Sequence, residues 1–142
     1  MDVAINYGAV VVGMIVAVVL GGLWYGPLFG KLWMREVGMA KPDVITPDMK
    51  RSMMRSYTFV ALSSLVMTYV LAHVLVFSSA YTGATGVMAG LQAGFWSWLG
   101  FALPPTLGPV LWEGKSFKYL LVTAGYYLVA LLLIGVLLAV WV

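Results

Sequence analysis

The stretch from Ser56 to Trp112 reads SYTFVALSSLVMTYVLAHVLVFSSAYTGATGVMAGLQAGFWSWLGFALPPTLGPVLW and contains no Asp, Glu, Lys or Arg. A transmembrane helix needs about 20 mostly apolar residues, so this stretch is long enough for two helices and a turn. The uncharged stretches 3–30 and 119–142 are each long enough for one more. The sequence therefore predicts an all-α integral membrane protein, a four-helix bundle.

The basic residues predict how this bundle is oriented. All eight Lys and Arg residues lie in segments 31–55 and 115–118, between the uncharged stretches. Because basic loops remain in the cytoplasm, both segments are expected there and both termini outside. Asp2 stands where a cleaved signal peptide would have a basic region, which favours a retained first helix. We therefore expect a multi-pass protein of the inner (plasma) membrane.

Composition supports this class and excludes others. The chain is 63% hydrophobic and 9% charged, and its mean hydropathy is +1.00. A soluble domain carries about 25% charged residues. The net charge of +3 indicates topology rather than a nucleic-acid partner, because the basic residues face anionic lipid. The absence of cysteine excludes disulfides and Cys-based metal sites, and we expect no cofactor.

A single membrane domain, 1–142, is expected. Its helices are predicted at about 3–26, 47–77, 87–112 and 117–142. Thr46 followed by Pro47 is typical of a helix start, because Thr accepts a hydrogen bond from the first turn and Pro suits the first position.

The third predicted helix is broken by prolines. Pro104 and Pro105 have no N–H group, so carbonyls near Gly100 and Phe101 lose their usual donors and the half beyond them is not expected to be a regular helix. In transporters, broken helices mark substrate sites. A simple kink satisfied by neighbouring groups is the alternative.

The sequence also contains a faint internal repeat. Gly26-Pro27 and Gly108-Pro109 each close a descending helix near a tryptophan and precede a basic loop. Parallel repeats of this kind occur in transporters. The alternative is that Gly, Pro and Trp simply collect at membrane interfaces.

Two polar residues interrupt the apolar helices. His73 is the only histidine, and Gln92 lies at a similar predicted depth on the next helix. Such residues are candidates for ligand or proton chemistry, or they hydrogen-bond across helices in a packing role. No second metal-ligating residue falls in the same layer, so no metal site is predicted.

The predicted ligand site lies between the break in the third helix and the nearby aromatic residues. Lys31 and Lys115 at its mouth would favour an anionic headgroup or carboxylate. The alternative is that the tryptophans only anchor the bundle at the interface. The predicted lining residues are Trp24, Tyr25, Trp98, Pro104, Pro105 and Trp112.

Gly90 and Gly94 form a small-xxx-small pair, which permits close approach of two helices. Together with the glycines of the first helix, this pair predicts a homo-oligomer.

Four motifs carry a resemblance to a known family. Residues 24–33 read WYGPLFGKLW, 94–101 read GFWSWLGF, 111–115 read LWEGK and 124–128 read AGYYL. In these motifs the chain resembles the bacterial integral-membrane family called domain of unknown function 1761. The resemblance implies a four-helix membrane protein with no established activity and no catalytic residues.

The polar residues do not form a recognisable catalytic set. No acid–base pair or nucleophile–base pair lies in one predicted layer, so an enzyme is not expected. The favoured hypothesis is transport or binding of a small amphipathic or anionic ligand or lipid. The alternative is an accessory membrane subunit that packs against a partner complex and has no ligand of its own.

Overall fold

The computed structural model describes residues 4–141. The predicted start of the first helix at residue 3 and the predicted end of the fourth at residue 142 lie outside this range. The described residues form helices and no strand. In chain order they are α1 (Tyr7–Leu23), a first π segment (Trp24–Leu28), α2 (Gly30–Val37), α3 (Pro47–Thr82), α4 (Gly86–Ser97), a second π segment (Trp98–Ala102), α5 (Leu103–Trp112) and α6 (Phe117–Val140).

Three helical stretches are long and apolar enough to cross a membrane. They are Tyr7–Leu28, Pro47–Thr82 and Phe117–Val140. This agrees with the expected bilayer environment. The third predicted helix is instead composed of three consecutive pieces, since α4 has 12 residues, the second π segment 5 and α5 10.

The two π segments have similar sequences and hydrogen bonds but differ in backbone geometry, because Gly26 in the first has non-helical φ and ψ angles of −103° and −105° and the second contains no such residue. Each has five residues with tryptophan first and glycine third. The N–H of Phe29 donates to the carbonyl of Trp24 at 2.8 Å, and the N–H of Leu103 donates to the carbonyl of Trp98. These bonds span five residues instead of four, which widens one helical turn. The structural counterpart of Gly26-Pro27 is therefore the turn that begins at Trp98, and not Gly108-Pro109.

The break in the third helix lies one turn earlier than the prolines predict. Pro104 and Pro105 occupy the first turn of α5, and α5 remains α-helical through Pro109. The expectation that this half is irregular was wrong, because Pro104 and Pro105 stand in the first turn of α5, a position that tolerates proline. The irregular geometry is confined to the preceding π segment.

Helix α3 is longer than predicted. It begins as expected, with the Thr46 side chain accepting from the N–H of Met49 at 3.3 Å. It continues past the predicted turn at Ser78, and the hydroxyls of Ser78 and Thr82 are satisfied by helix carbonyls at 3.0 and 2.8 Å. It stops at Gly83, whose φ of 71° suits a residue without a Cβ.

Glycines bring α4 and α6 into backbone contact. A Cβ at Gly90 would lie 2.7 Å from the Cα of Val136, and a Cβ at Gly94 would lie 2.8 Å from the carbonyl carbon of Leu131. Gly135 lies opposite Gly90. Gly90 and Gly94 therefore contact α6 of the same chain, and this pair no longer supports a homo-oligomer.

Helix α1 uses small residues in the same way. Ala9, Gly13 and Ala17 are buried and share one face of the helix. A Cβ at Gly13 would lie 2.5 Å from Cγ2 of Thr68 and 3.2 Å from Cγ2 of Ile134. This face is thus filled by α3 and α6, and it does not support an oligomer either.

Helix α3 packs over only part of its length. Residues 47–60 are exposed apart from a half-buried Met49, whereas Ser64, Thr68, Leu71 and Leu75 are buried. The N-terminal part of α3 therefore stands apart from the other helices and leaves open space beside it.

The two ends of the bundle differ in chemistry. At one end the Glu36 carboxylate of α2 accepts a hydrogen bond from Ser116, the N-cap of α6. Both basic segments contribute to this end, which we call the basic end. At the other end the Asn6 side chain donates to the carbonyl of Trp141 at 3.3 Å. We call this the far end.

Candidate ligand site beside helix α3

A groove of about 730 Å³ lies between α3, α5 and α6. We call it the proline groove, because Pro105 and Pro109 form one wall. Most of its surface is apolar. Its other lining residues are Met67, Val70, Leu71, Val74, Ser97, Phe101, Ala102, Thr106, Tyr119, Thr123, Tyr127 and Leu131.

A second groove, of about 720 Å³, lies on the other side of α3, against α1, the first π segment and α6. We call it the hydroxyl groove. Met67, Thr123 and Tyr127 line both grooves, so the two meet at these residues. The hydroxyl-bearing side chains that line the second groove are Tyr25, Tyr57, Ser63, Ser64, Thr123, Tyr126 and Tyr127.

Two buried hydroxyls beside the grooves lack a well-formed hydrogen bond. Within residues 4–141, Oγ of Ser97 has no hydrogen-bond partner, and Oγ1 of Thr123 has none of normal geometry, although the Tyr25 hydroxyl lies close to it. Leaving a buried polar group unpaired costs about 1–3 kcal/mol. The Tyr126 hydroxyl, in contrast, donates to the carbonyl of Ala17 at 2.9 Å. A polar group placed where the grooves meet would satisfy Thr123.

Proline also leaves acceptors in the groove wall. Pro105 cannot donate to the carbonyl of Phe101, four residues earlier, and Pro109 cannot donate to that of Pro105. All three residues line the proline groove. In a bilayer, backbone groups without partners are tolerated only in protein or beside a cavity. Proline therefore removes the usual helical donors of two carbonyls in the groove wall.

The predicted tryptophans bind helix α6. The indole N–H of Trp24 donates to the carbonyl of Val122 at 2.9 Å, and that of Trp98 donates to the carbonyl of Ala124 at 2.8 Å. Both π segments are therefore attached to the same turn of α6. Their indole donors are already satisfied, and neither tryptophan lines a groove.

The other predicted ligand residues are dispersed. Tyr25 lines the hydroxyl groove and Pro105 the proline groove, whereas Pro104 is exposed. Trp112 is 87% exposed at the end of α5. The structure thus brings Tyr25 and Pro105 to the grooves and leaves the other two outside them.

The two predicted lysines also lie apart. The backbone N–H of Lys115 donates to the carbonyl of Pro109 at 3.1 Å, so Lys115 lies at the basic end of the proline groove. Lys31 is exposed on α2.

Sequence reasoning missed Ser97, Thr123 and Tyr127. Their one sequence signal is a hydroxyl within an apolar helix, which many structural residues share.

The two intramembrane polar residues do not meet in a common site. Nδ1 of His73 lies 2.9 Å from the carbonyl of Tyr69, one turn earlier on α3, and its ring packs on the Tyr69 ring at 4.5 Å. Gln92 is half-buried on α4. In the described part of the chain, no three His, Cys, Asp or Glu side chains cluster as metal ligands.

Helix α2 is attached to α6 through one carboxylate. Glu36 accepts from the Ser116 hydroxyl and from Arg35 at 3.3 Å. Ser116 in turn accepts the N–H of Tyr119 at 3.2 Å. The Ser116 hydrogen bond, aided by the Arg35 and Lys118 charges, lowers the pKa of Glu36. This contact positions the basic end beside the proline groove.

The fold and the grooves define a class, a small all-helical protein with spans suited to a lipid bilayer. Sequence comparison gives the family. The chain belongs to the family described as "Protein of unknown function (DUF1761)", which matches residues 8–139. The resemblance seen in the four sequence motifs is thereby confirmed. Comparison with curated proteins and with solved structures found no match.

Proposed function

We propose that this protein binds a membrane-soluble amphipathic molecule in the two grooves beside α3. The observation that carries the proposal is that the apolar and the hydroxyl-rich grooves meet at Thr123, whose buried hydroxyl has no hydrogen bond of normal geometry. Binding sites commonly combine an apolar lining with a few polar groups, and volumes of about 300–1,000 Å³ are usual for small molecules.

The chemistry of the walls specifies the molecule. An apolar chain would lie against Met67, Val70 and Phe101 in the proline groove. A hydroxyl, ester or amide would pair with Thr123 and Ser97, the buried groups that lack a well-formed hydrogen bond. No Lys or Arg lines either groove. A charged headgroup therefore belongs at the basic end, near Lys115.

We further propose that the binding site belongs to a bundle of four spans. The fourth is the composite of α4, the second π segment and α5, which follow one another without interruption. The contact of Asn6 with Trp141 supports placing both termini on one side, and that of Glu36 with Ser116 supports placing both basic segments on the other. The positive-inside rule then assigns the basic end to the cytoplasm, in the plasma membrane.

We propose binding rather than catalysis. The side chains that line the two grooves include hydroxyls but no Asp, Glu or His. Without an acid or base beside them, these hydroxyls have no group to activate them as nucleophiles.

Photo-crosslinking tests the site. Protein in lipid vesicles would be incubated with a lysophosphatidylcholine that carries a diazirine in its acyl chain, irradiated and mapped by mass spectrometry. We expect adducts on Met67 and Phe101, and fewer in Thr123→Val and Ser97→Ala. Thr58→Val is the matched control, because Thr58 lies on the exposed part of α3. Even labelling of lipid-exposed residues, unchanged in Thr123→Val, would refute the site.

One observation favours an accessory subunit as the second candidate. The exposed part of α3 carries an apolar stripe at helical spacing, formed by Met49, Met53, Tyr57 and Val60. A partner helix would cover it. A photoreactive amino acid at position 53, used in native membranes, should then form one dominant protein adduct. Adducts with lipid alone would argue against this role.

A further inference from the structure

We propose that the bound molecule crosses the bilayer through the seam between α3 and α6, so that the protein is a carrier of single-chain amphipathic lipids. This rests on the proposed binding function. The new element is a further cavity, distinct from the two grooves, which lies on the same seam at the far end and has a volume of about 530 Å³. We call it the far-end cavity.

The far-end cavity can receive a polar group. It lies between the segment before α1, the outer turns of α3, the start of α4 and the end of α6. Asn6, Ser79 and Thr85 contribute hydrogen-bonding side chains, and the remaining wall is largely apolar. Both sites thus offer an apolar surface with uncharged polar groups, which suits one amphipathic molecule in two positions.

A thin layer of side chains separates the two sites. Leu71 and Leu131 line the proline groove, whereas Leu75 and Leu138 line the far-end cavity. Ile134 lies between the two α6 leucines with 0% of its surface exposed. Along α3 the two sites overlap in height, because Val74 lines the proline groove and Ala72 lines the far-end cavity. Along α6, at 1.5 Å per residue, Leu131 and Leu138 lie about 10 Å apart. We call these five residues the septum.

Opening the septum breaks only apolar contacts. All five side chains are aliphatic. In a bilayer, lipid tails can replace these contacts without exposing apolar surface to water. The free energy of opening is therefore mainly the loss of van der Waals packing. An apolar chain entering from the proline groove would restore that packing.

The N-terminal part of α3 is free to move, whereas its buried half packs on α1, where a Cβ at Gly13 would lie 2.5 Å from Cγ2 of Thr68. The α4–α6 pair is held by backbone contact at Gly90 and Gly94, and two tryptophans bind α6 as well. Residues 50–60 of α3 are exposed. A tilt of α3 against the fixed α4–α6 pair would separate Leu71 and Leu75 from Ile134 and join the two sites.

Transbilayer movement tests the proposal. The purified full-length protein would be reconstituted into phosphatidylcholine vesicles that contain lysophosphatidylcholine labelled with NBD. Dithionite bleaches only the outer leaflet, so the slow phase of bleaching reports movement across the bilayer. We expect this phase to be faster than in protein-free vesicles.

Two matched variants test the path. Ile134→Val removes one methylene from the septum. Leu133→Val removes one from a neighbouring side chain that is 49% exposed. Because Ile134→Val removes packing contacts from the closed septum, it should make the slow phase about two- to tenfold faster. Leu133→Val should match the parent. A change this small is tolerated in a core, and elution volume on gel filtration verifies folding.

The outcomes separate this proposal from the binding function. No acceleration by the parent protein, with diazirine adducts on Met67 and Phe101 intact, refutes transport and leaves binding standing. Neither acceleration nor adducts refutes both. Equal rates for Ile134→Val and Leu133→Val, or acceleration without adducts, refute a path through the septum.

Discussion

Substituting Gly90 by alanine should force α4 and α6 apart. The new Cβ would lie 2.7 Å from the Cα of Val136 and 2.5 Å from the carbonyl carbon of Gly135. Both atoms belong to backbone, so no side chain can rotate away. Normal contact requires the helices to separate by about 1 Å, and overpacking of this kind typically costs about 1–3 kcal/mol. We expect Gly90→Ala to unfold at a correspondingly lower denaturant concentration.

Gly22→Ala is the matched control. Gly22 also lies within a helix, but nothing lies within 4 Å of the position its Cβ would take. Alanine there should be neutral or stabilise by up to about 1 kcal/mol, through higher helix propensity. Unfolding in detergent, followed by circular dichroism, compares the two. Because Gly90 packs within the chain, particle size should not change. Equal stability of the two variants, or a smaller Gly90→Ala particle, would refute the intramolecular contact.

Three further predictions concern other contacts. Trp24→Phe or Trp98→Phe should destabilise the protein by about 0.6–1 kcal/mol, because each removes one hydrogen bond to α6. Trp112→Phe should have no such effect, because Trp112 is exposed. Equal effects of all three substitutions in thermal unfolding would contradict this prediction. Ser97→Ala should stabilise the ligand-free protein in thermal unfolding by about 1–3 kcal/mol, because it removes a buried hydroxyl that has no partner. Thr68→Val should not, because that hydroxyl donates to the Ser64 carbonyl at 2.8 Å. The hydrogen bond from Ser116 to the Glu36 carboxylate should stabilise the protein at pH values above the ordinary carboxyl pKa, and this stabilisation should be lost as the pH falls through the lowered pKa of Glu36. The difference in melting temperature between the parent protein and Glu36→Gln should therefore disappear at acid pH. A difference that stays constant with pH would contradict this prediction.

The sequence alone predicts that the chain is helical and suited to a lipid bilayer. Long uncharged stretches predict membrane helices because no water is present to solvate charge or free backbone. The start of α3 was equally readable, since Thr46 and Pro47 act on their own first turn. The family was recognised from four short motifs, and its model matches residues 8–139.

Tertiary structure decided how the special residues are used. The spacing of Gly90 and Gly94 permits close approach but does not identify the partner, which proved to be α6 of the same chain. Trp24 and Trp98 fit an interfacial belt by sequence, yet both donate to adjacent carbonyls of α6. The residues of the candidate ligand site also depend on tertiary structure. Thr123 became a candidate only because the packing of α3 and α6 places its hydroxyl, which is covered, between two grooves. Hydropathy and capping act within a few residues, whereas these roles depend on helices far apart in the chain, so only packing could reveal them.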